Sequence, residues 1–173
     1  KRRVLKQSSG LKFAFIGSEW KRKGLNIALQ VVRESRKVFP DSTLIIFGVS
    51  SDRLPGWIRR HKWIVAMGWV ADIPWLDIDV LLHPAKKEPF GMVISEARSH
   101  GVPVVMSSNV GAADLGFAET QVVDSNACPS TWLAATLKLV EEATGRAEVK
   151  WTWEDLVNQH IKSIYPKLKP IIL

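Results

Sequence analysis

Two carboxylates and a short basic loop are the residues of this sequence best placed to do chemistry. Glu88 and Glu96 are separated by seven residues in the run Glu88-Pro89-Phe90-Gly91-Met92-Val93-Ile94-Ser95-Glu96. Glu88 precedes a proline, which disfavours helical backbone, so it belongs to a loop. Residues 92–99 read as a helix ended by Gly101, with Glu96 about one turn inside it. Helical side chains tilt toward the N-terminus, so the Glu96 carboxylate can reach back to the helix start. The two acids can therefore bracket one ligand, and a carboxylate is a good acceptor for paired hydroxyls. Gly91 leaves room for a ligand against the backbone, and the first-turn amides can hold a phosphate. A plainer reading is also open, with Glu88 a solvated loop acid and Glu96 an acid complementing the helix dipole.

The second group is Gly17-Ser18-Glu19-Trp20-Lys21-Arg22-Lys23-Gly24. It sets three cations beside a predicted helix N-terminus, where free amides and the helix dipole favour an anion. Arg22 offers paired donors to a phosphate or diphosphate, and Lys23 a point charge. A solvated basic loop fits the same residues. The segment is neither the G-x-x-x-x-G-K-[ST] phosphate loop nor the G-x-G-x-x-G dinucleotide fingerprint.

The elements that must position these groups follow from hydrophobic pattern. Residues 12–16, 44–47, 63–66, 80–82, 102–106 and 121–123 read as buried strands. Between them, Leu25, Ala28, Leu29 and Val32 fall at helical spacing, and residues 54–61 suit a short helix. Pro129 opens a helix expected to carry Leu133, Leu137 and Val140 inward. Thr152 is the expected cap of a last helix with the stripe Val157, His160, Ile161 and Ile164. Apolar strands alternating with amphipathic helices predict an α/β fold, a Rossmann-like parallel sheet with helices on both faces. Ligands of such sheets bind outside the carboxyl ends of the strands, which points to the loops after Ile16, Phe47, Ala66, Leu82 and Met106. Residues 1–10 read as a linker, 11–166 as one domain and 167–173 as a tail.

Bulk properties narrow the partners. The chain has 173 residues, a length suited to one domain with a single core. No apolar run approaches the roughly 18 residues that span a bilayer, and residues 1–10 lack a signal-like apolar core. A cytoplasmic location is expected, with association at the cytoplasmic membrane face as an extension. Cys128 is the only cysteine, so no intrachain disulfide forms. His61, His83, His100 and His160 show no metal-ligand spacing, and no metal is expected. Asp77-Ile78-Asp79 fits a metal-binding D-x-D pattern but opens a buried strand, the stronger reading. The net charge of +7 suits an anionic partner. Among eight tryptophans, Trp20, Trp57 and Trp75 are candidates for exposure.

The words around the two glutamates resemble the E-x7-E motif of family 4-like retaining glycosyltransferases. Gly101-Val102-Pro103-Val104-Val105 is similar to the Gly-x-Pro-Val-Val that follows the motif in that family. Gly68-Trp69-Val70 and Asp79-Val80-Leu81-Leu82-His83-Pro84 resemble its upstream segments, and residues 17–24 its first phosphate loop. Trp153 and the helix ending near Tyr165 look like its closing helix. Ser18 stands where many members carry arginine, and the loop is similar to the Gly-Ser…Arg-Lys-Gly of lipopolysaccharide core glucosyltransferase-like members.

The resemblance implies the C-terminal, donor-binding half of a two-domain GT-B enzyme. It implies that Gly17, Ser18, Arg22 and Lys23 hold the donor diphosphate and that Glu96 binds the ribose hydroxyls. Phe90, Gly91, Met92 and Val93 would meet sugar hydroxyls or phosphates, and Trp69 and Val70 would flank the nucleobase. Glu88 would act at the reacting carbon, with retention of configuration. The implied partners are a UDP-, GDP- or ADP-linked sugar, a glycan or lipid-linked acceptor, and an N-terminal domain outside this sequence. Neither a metal, a separate cofactor nor nucleic acid is implied. The alternative is a non-catalytic phosphate- or nucleotide-binding module of the same fold.

Overall fold

The computed structural model describes residues 10–116 and 120–144. Six parallel strands form one sheet: β1 (Lys12–Ile16), β2 (Thr43–Phe47), β3 (Ile64–Gly68), β4 (Val80–His83), β5 (Val104–Ser107) and β6 (Thr120–Val123). Their order is β3-β2-β1-β4-β5-β6. The helices are α1 (Leu25–Ser35), α2 (Gly56–Arg59), α3 (Met92–Ser99) and α4 (Pro129–Thr144).

Two-residue periodicity divides the core. Phe13, Phe15, Leu44, Ile46, Val80, Leu82 and Val105 point to one face, where α1 and α4 pack together. Ala14, Phe47, Leu81, Val104 and Met106 point to the other, under α3 and the 3₁₀ turn Gly111–Leu115. Both faces being covered explains why the central strands are apolar without alternation. In α1 the expected Leu25, Ala28, Leu29 and Val32 are all buried, joined by Val31.

Three expectations shift. Strand β3 is an edge, so Val65 and Met67 are exposed and its burial alternates, unlike the fully buried run expected at 63–66. The short helix expected at 54–61 shortens to α2, preceded by a 3₁₀ turn at Ser51–Arg53, because Pro55 has no N–H to continue a helical ladder and instead starts α2. In α4 the inward stripe is Trp132, Thr136, Leu139 and Val140, with Leu133 and Leu137 half-buried. The large indole of Trp132 wins the core, and Thr136 hides its hydroxyl by donating to the Trp132 carbonyl at 2.7 Å.

Of the candidate exposed tryptophans, Trp57 is half exposed. Trp20 is half-buried beneath the Lys21 ammonium, and Trp75 is buried and stacked on His100. The helix expected after Thr152 and the tail lie outside the described residues, as does nearly all of the linker. Among the described residues, no helix is long and apolar enough to cross a membrane.

Candidate functional site

The strand order reverses between β1 and β4, from which the chain winds outward in opposite directions. Loops leaving the carboxyl ends of such a pair part from one another and leave a crevice. Here those loops are residues 17–24 and 84–91, the two segments that carry the candidate residues.

They are fastened together. The Lys86 amide donates to the Arg22 carbonyl at 3.0 Å, and Arg22 Nη1 donates to the Lys87 carbonyl. A β-carbon on Gly24 would collide with the Pro84 carbonyl, so α1 starts directly against the β4 loop. Charge follows backbone. Glu88 Oε2 lies 3.3 Å from Arg22 Nη1 and 3.4 Å from Lys23 Nζ. The Glu88 and Lys23 side chains are only 14% and 18% exposed, so water screens this pair less than a surface pair. Lys23 reaches Glu88 by lying across Gly17, where a β-carbon would strike its Cδ.

The loop after β5 buttresses Glu88. Glu88 N donates to the Asn109 carbonyl and the Glu88 carbonyl accepts from Gly111 N, both at 3.1 Å. The Asn109 amide donates to the Lys86 carbonyl and to Ser125 Oγ, joining the loops after β4, β5 and β6. The backbone of the acid is therefore fixed while its side chain faces the two cations.

Arg22 is more committed than its sequence suggests. Its Nε and Nη2 both donate to Glu19 Oε2, at 2.9 and 2.6 Å. That hydrogen bond, ahead of the Coulombic pull of Glu19 and Glu88, raises the guanidinium pKa. The paired donors expected to face a phosphate thus face Glu19, and Nη1 is the nitrogen aimed at Glu88. Lys23 carries the less encumbered charge of the two.

The remaining candidates spread along the same edge of the sheet. Ser18 is exposed in the first loop. Gly91 caps α3 with φ at 87°, and a β-carbon there would crowd Ile94 and Val110, so backbone and packing by themselves demand a glycine. Phe90 and Val93 are half-buried against the α3 core, whereas Met92 is exposed. Glu96 sits one turn on from Met92 and Val93, on the part-exposed side of α3, and forms no ion pair among the described residues. Trp69 projects into solvent at 83% exposure just after β3, and Val70 turns back toward the core. The structure thus unites Arg22, Lys23 and Glu88. It places Glu96 on the adjoining helix and Trp69 two strands away from β1.

The two acids of the D-x-D pattern lie away from these loops. The Asp79 carboxylate accepts the Lys12 amide at 2.8 Å, at the amino ends of β1 and β4 and therefore at the opposite edge of the sheet. Asp77 pairs with Lys12 at the same edge.

Three residues in this neighbourhood have no role in the sequence reading. Glu19 stands three residues before Arg22, a spacing that could have signalled a local pair. Asn109 lies in the loop after β5, which the sheet argument had marked without naming a residue. His83, the last residue of β4, is 1% exposed, and its Nε2 has no hydrogen-bond partner among the described residues. Burial, and then Lys23, lower its pKa to about 4, so the imidazole is neutral at physiological pH.

The model of the family Glycosyl transferases group 1 matches residues 10–142. The chain belongs to this family. Glycogen synthase of Mycobacterium tuberculosis is 31% identical over 106 residues, covering 56% of this chain and 25% of that protein. This group 1 chain thus spans about a quarter of the length of these curated relatives. Among solved structures, WaaG, a glycosyltransferase involved in lipopolysaccharide biosynthesis, superposes with a TM-score of 0.65 at 20% identity, covering 82% of this chain and 40% of that one. Anabaena HepE, solved in complex with UDP-glucose, gives 0.62 at 18% identity, covering 91% and 48%. At these identities the structural likeness speaks for the fold, which is that of glycosyltransferases.

Proposed function

We propose that this group 1 domain binds the nucleotide-sugar donor of a retaining, family 4-like glycosyltransferase, as the C-terminal half of a GT-B enzyme. The observation that carries the reading is the meeting of Arg22, Lys23 and Glu88 at the β1/β4 reversal, beside the N-terminus of α1. An acid held between two cations marks where an anion is favoured. A diphosphate brings more negative charge than one carboxylate and competes with Glu88 for Lys23.

In this account Lys23, Arg22 Nη1 and the loop at Gly17 and Ser18 receive the diphosphate, and the Gly91, Met92 and Val93 amides meet the sugar or its phosphates. Glu96 accepts the ribose hydroxyls, Phe90 lines the turn, and Trp69 and Val70 flank the base. Transfer breaks the bond between the anomeric carbon and the diphosphate oxygen and forms one to an acceptor hydroxyl oxygen, whose proton passes to the departing diphosphate. Positive charge grows on the anomeric carbon as negative charge grows on the leaving diphosphate. Glu88 favours the first and Lys23 with Arg22 the second, the preorganised electrostatics that lower such barriers. The acceptor, a glycan or lipid-linked saccharide, binds to an N-terminal domain, so this chain by itself binds donor without turning it over. The complex of Anabaena HepE makes UDP the first nucleotide to try.

Calorimetric titration with UDP tests the reading. The wild-type chain should bind UDP, GDP or ADP. Lys23→Ala should weaken that binding by roughly ten- to a hundredfold, the worth of a hydrogen bond to a charged group. Failure of all three nucleotides to bind, or equal binding by Lys23→Ala, would overturn it.

A further inference from the structure

The Lys23–Glu88 pair has a difficulty built into it. Both cations address one oxygen, Glu88 Oε2, and the acid is largely buried. If a diphosphate takes Lys23 and Arg22 Nη1, as the proposed function requires, Glu88 loses the two cations that now face it without gaining exposure to water. A buried carboxylate short of partners is costly, and it would protonate or swing away unless another donor took it up.

One unused polar atom ends the strand that leads into the Glu88 loop. His83 ends β4, one residue before the proline whose carbonyl abuts the start of α1. Its Nε2 is buried and unpartnered among the described residues, an arrangement that a folded protein rarely leaves unexplained. The charged groups that act on its imidazole are Lys23, Glu88 and Arg22, the three members of the site. A neutral imidazole carries one N–H, which can satisfy a carboxylate without adding a charge to the crevice. A lysine or arginine in the same place would instead compete with the donor's own cation sites.

We infer that His83 is a positioning residue, which takes the Glu88 carboxylate through Nε2–H when an anionic donor draws Lys23 away. Glu88 then stays ionised and oriented toward the sugar. Without donor, Lys23 occupies Glu88 and the imidazole nitrogen waits. The inference rests on the donor-binding reading, and it adds a residue that the motif around Glu88 and Glu96 does not contain.

The test uses UDP with the wild-type chain, His83→Phe and His83→Gln. Phenylalanine keeps a ring without nitrogen, and glutamine places an N–H near the position of Nε2. UDP affinity should fall about tenfold in His83→Phe, the loss of one hydrogen bond to a charged group, and should return to within about threefold of wild type in His83→Gln. Equal UDP affinity of wild type and a folded His83→Phe would overturn the inference while leaving the donor site standing. So would a folded His83→Gln as weak as His83→Phe, since shape alone would then explain both. The nitrogen NMR signals of the wild-type imidazole need no substitution. Saturating UDP should shift Nε2 of His83, and an unmoved Nε2 would overturn the handover even if His83→Phe did not fold. Absence of UDP, GDP and ADP binding to wild type would remove the donor reading and the inference with it.

Discussion

A carboxylate on the part-exposed side of a helix contributes little to a fold, and Glu96 is of that kind. It has no ion pair among the described residues, and the buried positions of α3 are Ile94, Ser95, Ala97 and Arg98. Removing its side chain should leave stability within about 0.5 kcal/mol. The proposed cost falls on ribose recognition. Glu96→Ala should weaken UDP binding by about 1–3 kcal/mol, read by titration, with an unchanged melting temperature. Equal binding by the variant would take ribose away from Glu96. Arg22 differs, because its guanidinium ties Glu19, the Lys87 carbonyl and Glu88 together. Its substitution should disturb the loops and the ligand at once, which makes Lys23 the cleaner probe of the diphosphate.

At the scale of elements, the start of α3 depends on Gly91. The left-handed backbone there costs other residues about 1–2 kcal/mol, and a methyl group would press on Ile94 and Val110 besides. Gly91→Ala should therefore lower stability by about 1–3 kcal/mol in a urea melt, and an unchanged midpoint would mean that the turn relaxes freely. This is where pattern reading succeeded and where it stopped. Loop, glycine, helix and the place of both glutamates were legible, because Pro89 and the 92–99 pattern act locally. The central strands and α1 were legible for the same reason. The edge position of β3 was not, because a strand's neighbours are set by the whole sheet and not by residues 63–66. The α4 stripe slipped because one indole outweighed two leucines. Nor could residue spacing reveal that Arg22 spends its paired donors on Glu19, or that Asn109 holds Glu88 from a loop twenty-one residues on, since both are matters of folded geometry.

At the scale of the whole molecule, His83 links the site to stability. Its folded-state pKa is depressed from 6.5 to about 4, chiefly by burial and then by Lys23. Between those values the unfolded chain binds a proton that the folded chain refuses, so stability falls with pH. The contribution is complete above about pH 6.5 and is lost as pH drops toward 4, by at most about 3 kcal/mol. Carboxylates titrate in the same window, so the difference between wild type and His83→Gln is the quantity to measure. Urea midpoints at pH 7 and pH 4.5 should fall further for wild type than for the variant. Parallel falls would show that His83 titrates normally in the folded chain.

The central claim is that the β1/β4 reversal holds the diphosphate of a sugar nucleotide, and the backbone amides of the chain report it directly. In a proton–nitrogen correlation spectrum titrated with UDP, the largest shifts should fall on Gly17 through Lys23 and on Gly91, Met92 and Val93. The cavity of about 150 Å³ lined by Asn26, Leu29, Trp57 and Trp63 shares no residue with those loops and serves as the internal control. Shifts confined to that cavity, or scattered over the basic surface without the two loops, would contradict the account.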